Sequence, residues 1–533
     1  MLDVHQLKAE DLQGLDAETV AKLAASMLQR IEAMSAEHTR QLAERDQALK
    51  FKDAKLQKIT FELARYKAWK FGAKTEAMTA EQRRLFEETA AEDEAGLQAQ
   101  LDALHPAPSQ PAPQAPRRPR RQALPAHLRR VEHHHEPEDT HCPNQGCGRP
   151  MVRIGEDVSE RLDVIPAEFF VHRHVRGKWA CKCCQTLVQQ PVAPQIIDQG
   201  IPAPGLLAHT LVSRFVDHMP YYRQQEINAR SGVHTPRATL AAWAGAAGAG
   251  LEPLYEAHKA FVLGSPVLHA DETPVALLEP GAGKTRKAYV WGYARGEFDA
   301  RPGVVYEFCP GRGAKYPVEF LKGWNGTLVC DDYKAYETVF KLGQRIEAGC
   351  LVHARRKFDE LIKHGHSEVA AEAVRRLAWV FKVEHDAREA RAEERLALRQ
   401  QRSQAHWDGL HAWMRRERER VPDGSGIARA LDYSLNRWQA LSRFLRDGEV
   451  SCHNNHLENR LRPWAMGRKA WLFAGSELAG QRAAIVMSLV QSARLHGHDP
   501  WVYLKDVLER LPMHLNSRIE ELLPHRWQAP AER

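Results

Sequence analysis

A proline-rich segment, HPAPSQPAPQAP at positions 105–116, divides the chain into parts that cannot share one hydrophobic core. Proline, alanine and glutamine at this density hold the backbone extended and offer too little apolar surface to bury. The 533 residues of the chain also exceed the roughly 250–300 residues at which a single core stops growing. We therefore expect a multidomain α+β protein.

The segment before this tether, residues 1–104, contains no proline and carries leucines at heptad spacing. The leucines that share one heptad position are Leu28, Leu42, Leu49, Leu56 and Leu63. Ser35 interrupts the series, and the partner position holds both apolar and polar residues. The pattern predicts a helical leucine-zipper region that forms a coiled coil and makes the protein a homo-oligomer. A single long helix packed on its own protein is the alternative.

The linker at 105–130 ends in a block of arginines without an acidic residue. These arginines include Arg117, Arg118, Arg120 and Arg121. A flexible arm with this charge suits contacts to DNA phosphates, and a solvated linker is an equal alternative. The stretch at 87–102 has six acids and no base, and we interpret it as a solvated linker.

Two cysteine pairs lie in the segment 131–197. The four cysteines are Cys142, Cys147, Cys181 and Cys184. Four residues separate the members of the first pair, two separate those of the second, and 33 lie between the pairs. Four thiolates on two turns form the tetrahedral site that structural Zn²⁺ prefers, so we predict a zinc-binding domain. The alternatives are free cysteines, or Cys183 as a replacement ligand. The histidines at 133–135 are further candidate ligands, although we interpret this tract as solvated.

Residues 198–258 are helix-prone and contain a short glycine turn at 231–233. The threonine and proline at 235–236 fit an N-cap and the first position of a second helix. Arg237 and Thr239 then lie in its first turn, where a DNA-reading helix carries base contacts. We predict a helix-turn-helix DNA-binding region, while noting that any helical hairpin gives a similar pattern.

Two strand-like runs between residues 259 and 350 lead into acidic residues. The run SPVL precedes Asp271 and Glu272, and the run GTLVC precedes Asp331 and Asp332. A strand that enters a core should not end on carboxylates unless a cation offsets their desolvation. We therefore expect these acids to face a metal ion.

A third acid, Glu458, lies in the helix-prone and arginine-rich stretch HLENRLRPW. One acid from each strand and this glutamate can converge on a pair of cations, and oxygen ligands favour Mg²⁺ or Mn²⁺. Two such ions about 3.5–4 Å apart can activate an attacking hydroxyl and stabilise the leaving oxygen of a phosphodiester.

Five motifs in this order resemble the transposases of the IS66 insertion-sequence family: HADET, DDYKAY, HARRKF, NNHLENRLRPWAMGRKAWLFAGS and DPWVYLKDVL. The resemblance extends upstream through FGAKTE, LPAHLRRVE, the cysteine pairs and MPYYRQQEI, so it covers nearly the whole chain. It implies an Asp-Asp-Glu triad of Asp271, Asp331 and Glu458 that binds the catalytic metal on an RNase H-like α/β core. It also implies the zipper, the zinc-binding segment and the helix-turn-helix.

By this resemblance the catalytic domain spans residues 259–495, with an all-helical insertion at about 351–450, and a C-terminal tail covers 496–533. Basic residues near the triad are candidates for contacts to DNA phosphates, with a solvated face as the alternative. These basic residues are Arg355, Arg356, Arg460, Arg462, Arg468 and Lys469.

The chain departs from the family pattern around the acids. It reads His-Asn-Asn at 453–455 where many relatives have Asp-Asn-Asn, and Glu458 is followed by asparagine where they have arginine. Asp332 stands at the position of a glycine in relatives, which leaves Asp331 as the aligned ligand. Glu272 is then interpreted as a solvated neighbour.

These features predict a bacterial DNA transposase that cleaves transposon ends with metal ions and joins the released 3′-hydroxyl to target DNA. No apolar run approaches the ~20 residues needed to cross a bilayer, so we expect a cytoplasmic, nucleoid-associated protein without a membrane partner. The resemblance adds small accessory proteins of the element as partners. The alternatives are a non-catalytic DNA-binding protein derived from a transposase and an RNase H-like nuclease without strand transfer.

Overall fold

The computed structural model describes residues 59–60, 91–100, 124, 126, 128–142, 147, 149–165, 168–197, 200–279, 284–365, 367–471 and 474–529. The leucines of the zipper prediction lie outside these residues, as do Arg117, Arg118, Arg120 and Arg121. All strands and helices labelled here belong to one compact unit built from Tyr66–Ala99 and Ala112–Arg533.

A long antiparallel hairpin joins the two cysteine pairs. It consists of β2 (Val152–Ile165) and β3 (Glu168–Ala180). Ile165 pairs with Glu168 at the turn, and Val152 pairs with Ala180 at the open end. Strand β1 (Arg129–His135) runs parallel to β3, and β4 (Leu187–Gln189) pairs antiparallel with its end. Apolar residues near the turn end of the hairpin are buried, and Val171 is fully buried in the same core as the helices that follow.

Four helices follow this sheet, namely α1 (Pro204–Phe215), α2 (Tyr221–Arg230), α3 (Arg237–Gly250) and α4 (Glu252–Leu263). The predicted turn between α2 and α3 is present, and Gly232 has a φ of 75°, which favours glycine. The predicted cap is wrong, because Pro236 occupies the N-cap and the helix begins at Arg237, while Thr235 is buried one residue earlier. Helix α3 is rich in alanine and glycine and is buried over most of its length beyond its first turn.

The central sheet has five strands in the order β7-β6-β5-β8-β9. They are β5 (Val267–Leu278), β6 (Thr285–Arg295), β7 (Val304–Cys309), β8 (Gly326–Cys330) and β9 (Arg345–Gly349). Strands β5, β6 and β7 form an antiparallel meander, and β8 and β9 run parallel to β5. Two short helices, α5 (Lys315–Phe320) and α6 (Lys334–Lys341), flank β8 in the chain.

Strand β5 does not end at its acids as predicted but continues to Leu278. The reason is that β6 pairs with it along its whole length, from Leu268 opposite Arg295 to Leu278 opposite Thr285. Strand β8 pairs only with the first three residues of β5, Val267–His269. The acids therefore lie in mid-strand, at the point where the parallel neighbour stops.

The stretch after β9 is helical, as its sequence predicts. It contains α7 (Leu351–Gly365), α8 (Glu368–Asp386), α9 (Ala392–Arg402), α10 (Gln404–Arg420), α11 (Gly426–Asn436) and α12 (Trp438–Leu441). These helices share a hydrophobic core of their own, with Phe358, Trp407 and Phe444 almost completely buried. They separate β9 in sequence from the helix that carries Glu458.

Three more helices complete the unit, namely α13 (Asn455–Trp471), α14 (Glu477–Leu495) and α15 (Pro500–Arg510). Helix α14 covers the edge strand β7. The hydroxyls of Ser488 and Ser492 accept hydrogen bonds from the main-chain N–H groups of Tyr306 and Val304, at 2.8 and 3.1 Å. The free edge of the sheet is thus satisfied by serine side chains instead of another strand.

Part of the acidic stretch at 87–102 is not a solvated linker. Residues 91–100 are helical, and Asp93 is fully buried. Its carboxylate accepts a hydrogen bond from the buried Arg482 of α14 at 2.7 Å. Within the described residues, no helix is long and apolar enough to cross a membrane.

Candidate active site and zinc centre

Asp271 and Asp331 lie side by side because their strands are parallel neighbours. Val267 is opposite Thr327 and His269 is opposite Val329, so the same register continued by two residues brings Asp331 opposite Asp271. Neighbouring strands lie about 4.8 Å apart, which keeps both carboxylates in one region. Each side chain also accepts a nearby main-chain N–H: Asp271 from Glu272 at 2.8 Å and Asp331 from Tyr333 at 3.0 Å.

The Asp271 carboxyl lies in a cluster of negative charge. Burial raises its pKa well above the usual value, and the charges of Glu272, Asp331 and Glu458 raise the pKa further. Desolvated carboxylates that repel one another are stabilised by a cation. These oxygen donors fit a hard divalent ion such as Mg²⁺ or Mn²⁺.

Glu458 lies in the first turn of α13, near enough for its charge to raise the pKa of Asp271, and the buried Asn454 fixes the start of that helix. The Asn454 carbonyl accepts the main-chain N–H of Glu458 at 3.1 Å. Its side-chain amide donates to the carbonyl of Ala270 at 2.9 Å, and its Oδ1 lies 2.9 Å from Nδ1 of His269. Asn454 therefore ties Glu458 to the residue before Asp271.

A glycine allows α13 to approach the sheet. Gly292 is the β6 residue directly opposite Asp271. A Cβ atom at Gly292 would lie only 3.1 Å from Leu461 and 3.2 Å from Leu457, both buried on α13. The helix that carries Glu458 therefore packs over the strand pair that carries Asp271.

Two residues of the segment that starts α7 also adjoin Glu458. Cys350, His353 and Glu458 each offer a ligand atom, and these three atoms lie within 4.8 Å of one another. Burial lowers the pKa of His353, whereas the charges of Glu458 and Asp331 oppose that shift. Sequence reasoning treated the motif HARRKF as a source of DNA-contacting arginines and missed this histidine.

Glu272 is not the solvated neighbour that was expected. Its side chain is 1% exposed and forms an ion pair with Arg312, whose Nε donates to Glu272 at 2.6 Å. The Tyr336 hydroxyl donates to its other oxygen at 3.2 Å. Because alternate residues of a strand point to opposite faces, Glu272 faces away from Asp271 and finds its own cation.

Asp332 also lies apart from the cluster. Its exposed carboxylate pairs with Arg437, which also binds Glu347 of β9. Asp331 and Asp332, although adjacent, therefore have different partners.

The four predicted zinc ligands come together at the open end of the hairpin. Their ligand atoms all lie within 4.8 Å of one another. The Sγ atoms of Cys142 and Cys184 are 2.9 Å apart, and those of Cys147 and Cys181 are 3.7 Å apart. A tetrahedral zinc with Zn–S bonds of about 2.3 Å needs sulfurs about 3.8 Å apart, so the group fits the ion with a small expansion.

The chain matches known protein families over most of its length. A model of the IS66 family of transposases matches residues 199–482, more than half of the chain. The chain belongs to the IS66 transposase family. Further family models match the zinc-finger binding domain of transposase IS66 at 139–185, the IS66 C-terminal element at 488–525, and a domain described as Transposase C of IS166 homeodomain at 58–132.

Three relatives of this IS66 family member come from Sinorhizobium fredii, and each is named as an uncharacterized protein. The chain is 36% identical to y4jD over 76% of its own length and 82% of the relative. It is 37% identical to y4qI, covering 77% and 78% of the two chains, and 34% identical to y4hP, covering 72% of each. The resemblance to IS66 transposases inferred from the sequence motifs is confirmed.

In this IS66 family member, hydrogen bonds favour the thiolates of two of the four clustered cysteines, whereas the pKa of Cys147 is raised. Main-chain N–H groups of Cys184 and Cys183 lower the pKa of Cys181. A hydrogen bond from the Cys142 thiol, followed by one from Thr186, lowers the pKa of Cys184 to about 6. Cys183 itself is exposed and is not a member of the four-sulfur group.

The predicted solvated histidine tract is only partly solvated. His134 is exposed, but Nε2 of His133 lies 2.8 Å from Nδ1 of His172, and Nε2 of His135 lies 3.0 Å from Nδ1 of His174. The parallel pairing of β1 with β3 brings these rings onto one face of the sheet. They pair with one another and are not members of the cysteine group.

The predicted DNA-contacting residues divide into two groups. Arg356, Arg462 and Lys469 are exposed, whereas Arg355, Arg460 and Arg468 are partly buried. Each of the partly buried arginines has an intramolecular partner: Arg355 pairs with Asp359 at 3.4 Å, Arg468 donates to the Pro274 carbonyl at 3.0 Å, and Arg460 donates to the His456 carbonyl. Arg237 and Thr239 are partly exposed in the first turn of α3.

Proposed function

We propose that the protein is a DNA transposase that cleaves transposon ends in a metal-dependent reaction and transfers the 3′-hydroxyl to target DNA. The observation that supports the proposal is the relation of three acids. Asp271 and Asp331 follow neighbouring parallel strands, and Glu458, whose helix start is tied to β5, is near enough for its charge to raise the pKa of Asp271. Bound cations would relieve the repulsion among these carboxylates.

We further propose that the central sheet is an RNase H-like core. Three antiparallel strands followed by two strands parallel to the first, in the order β7-β6-β5-β8-β9, support this assignment. The helices from α7 to α12 would then be an insertion between the core and the glutamate of the triad.

The chemistry assigned to the site needs no nucleophilic side chain. Two divalent cations held by the triad would activate the attacking hydroxyl and stabilise the leaving oxygen. Asp271, Asp331 and Glu458 would supply oxygen ligands, and Asn454 ties the start of α13 to β5. Water attacks in the cleavage step and the DNA 3′-hydroxyl attacks in the joining step.

A DNA-binding surface is proposed on α2 and the start of α3. Helix α3 is too deeply buried to enter a groove along its length, so only its first turn can approach bases. The exposed Tyr222, Arg223 and Arg230 of α2 extend this surface beside Arg237. The zinc-binding domain, self-association through residues 1–104 and small accessory proteins of the element complete the proposal.

The experiment is a cleavage and strand-transfer assay on a duplex that carries the ends of the element, with Mg²⁺ or Mn²⁺. The full chain should cut and join, and Asp271→Asn, Asp331→Asn and Glu458→Gln should each lose nearly all activity, because metal ligands act as a unit. All three should still bind the duplex, and Asp332→Asn is the matched control that should remain active.

Each alternative has its own outcome in this assay. Binding without any cutting by the full chain would favour a non-catalytic DNA-binding protein. Cutting without joining would favour a nuclease. An active Glu458→Gln variant would contradict the triad.

A further inference from the structure

His353 of α7 faces Glu458 of α13. Nδ1 of His353 and Oε1 of Glu458 are 3.9 Å apart. Both atoms are buried, and neither has a hydrogen-bond partner among the residues that the structure describes. A buried polar atom without a partner is destabilising, so two such atoms that face each other would be stabilised by a group that binds both.

The separation distinguishes between a shared proton and a shared cation. At 3.9 Å, the two atoms are too far apart for a direct hydrogen bond, which needs about 2.7–3.2 Å. Two donors that each lie about 2.1 Å from one ion are about 3 Å apart at a right angle and up to about 4 Å apart at wider angles. The gap can therefore hold a metal ion that the two atoms bind at a wide angle.

The nearby thiol does not fill this role. Cys350 is 1% exposed, and its sulfur accepts the main-chain N–H of Asn454 at 3.2 Å. Main-chain N–H groups of Val352 and His353 also reach this sulfur. The thiol is thus occupied by the backbone at the start of α7, and it fixes both the first turn of α7 and the residue that positions α13.

We propose that His353 supplies an imidazole nitrogen to the divalent cation held by Glu458, so that one metal position of the site has mixed nitrogen and oxygen ligands. The inference rests on the proposed metal-dependent function and adds a ligand to it. Mg²⁺ takes oxygen ligands, whereas imidazole suits first-row transition ions, so this position should prefer Mn²⁺ over Mg²⁺.

The test measures which atoms coordinate Mn²⁺ in the zinc-loaded full chain. Electron spin echo envelope modulation detects a ¹⁴N nucleus that is bound directly to the ion. The wild-type protein should show one such nitrogen, and His353→Gln should lose it and bind Mn²⁺ at least about tenfold more weakly, the effect typical of ligand-sphere changes. His385→Gln, which changes an exposed histidine of α8, should keep the nitrogen signal.

The outcomes separate this inference from the proposed function. Absence of bound nitrogen in the wild-type protein, or its persistence in His353→Gln, overturns the assignment of His353 whether or not the variant folds normally. If Asp271→Asn still abolishes Mn²⁺ binding in that case, the proposed active site stands without His353. If Asp271→Asn leaves Mn²⁺ binding unchanged, the proposed active site fails, and the His353 inference fails with it.

Discussion

Asn454 donates a hydrogen bond from its side-chain amide to the carbonyl of Ala270 at 2.9 Å, although the two residues are 184 positions apart in the chain. The same side chain lies 2.9 Å from the ring of His269. The main-chain carbonyl of Asn454 accepts the N–H of Glu458 in the first turn of helix α13. One fully buried amide therefore fixes the position of Glu458 relative to the strand that carries Asp271.

Replacing Asn454 by alanine should lower both stability and activity. The change leaves the Ala270 carbonyl and the His269 ring without their partner, which should cost about 1–3 kcal/mol in the free energy of unfolding. DNA cleavage should fall much further than the loss of folded protein explains, because the start of α13 is no longer held against β5. Urea denaturation and cleavage rates would be compared with those of Asn455→Ala, which changes a partly exposed neighbour. Wild-type cleavage by the folded fraction of Asn454→Ala would show that the amide serves stability alone.

The zinc site should depend on four of the five clustered cysteines. Cys142→Ser should reduce the zinc content from about one ion per chain to almost none, because a structural site needs all four thiolates. Cys183→Ser should keep its zinc, since that exposed side chain is outside the four-sulfur group. Elemental analysis of the purified variants measures both. Loss of zinc in Cys183→Ser would show that Cys183 is a zinc ligand and that the assignment of the second pair is wrong.

The ion pair between Glu272 and Arg312 should stabilise the fold without contributing to metal binding. Glu272→Ala leaves Arg312 without its partner, and a charged hydrogen bond of this kind contributes about 1.5–3 kcal/mol. Glu319→Ala, which breaks an exposed pair with Lys322, should change stability by less than about 1 kcal/mol. Thermal unfolding of the two variants tests the difference. Mn²⁺ binding should survive in Glu272→Ala, and its loss would place Glu272 in the metal site.

How far the sequence predicts the site depends on how local each contact is. Asp331 was predicted at the end of a strand because the apolar run GTLVC and the acid after it are adjacent, and β8 does end at Cys330. The continuation of β5 through Asp271 was missed. Pairing with β6 extends the strand past its acids, and the residues around Asp271 do not reveal that pairing. The burial of Glu272 depends on Arg312, 40 residues away, and no local pattern connects them.

The same reason explains the residues that were missed altogether. Asn454 lies just before a stretch that the sequence showed only to be helix-prone, and His353 lies in a motif that was interpreted as a basic patch. Their roles come from contacts with Ala270 and Glu458, which lie more than a hundred residues away in the chain. Helix α3 gives the opposite case: the glycine turn before it predicted a second helix correctly, but only the packing around it shows that most of it is inaccessible to DNA.

The charge cluster also predicts how stability depends on pH. Burial, followed by the charges of Glu272, Asp331 and Glu458, raises the pKa of Asp271. The folded protein then binds a proton at Asp271 more tightly than the unfolded chain does. This contribution to stability is fully present below the unfolded pKa of about 4 and is lost as the pH rises toward the raised value.

In magnesium-free buffer, Asp271→Asn should therefore become increasingly more stable than the wild-type protein as the pH rises, because the amide carries no charge at any pH. Adding Mg²⁺ should stabilise the wild-type protein, since an ion that binds only the folded state shifts the equilibrium toward it, and should have little effect on the variant. Thermal unfolding at several pH values, with and without Mg²⁺, measures both effects. A stability difference that does not change with pH, or equal stabilisation of both proteins by Mg²⁺, would contradict a buried, cation-dependent Asp271.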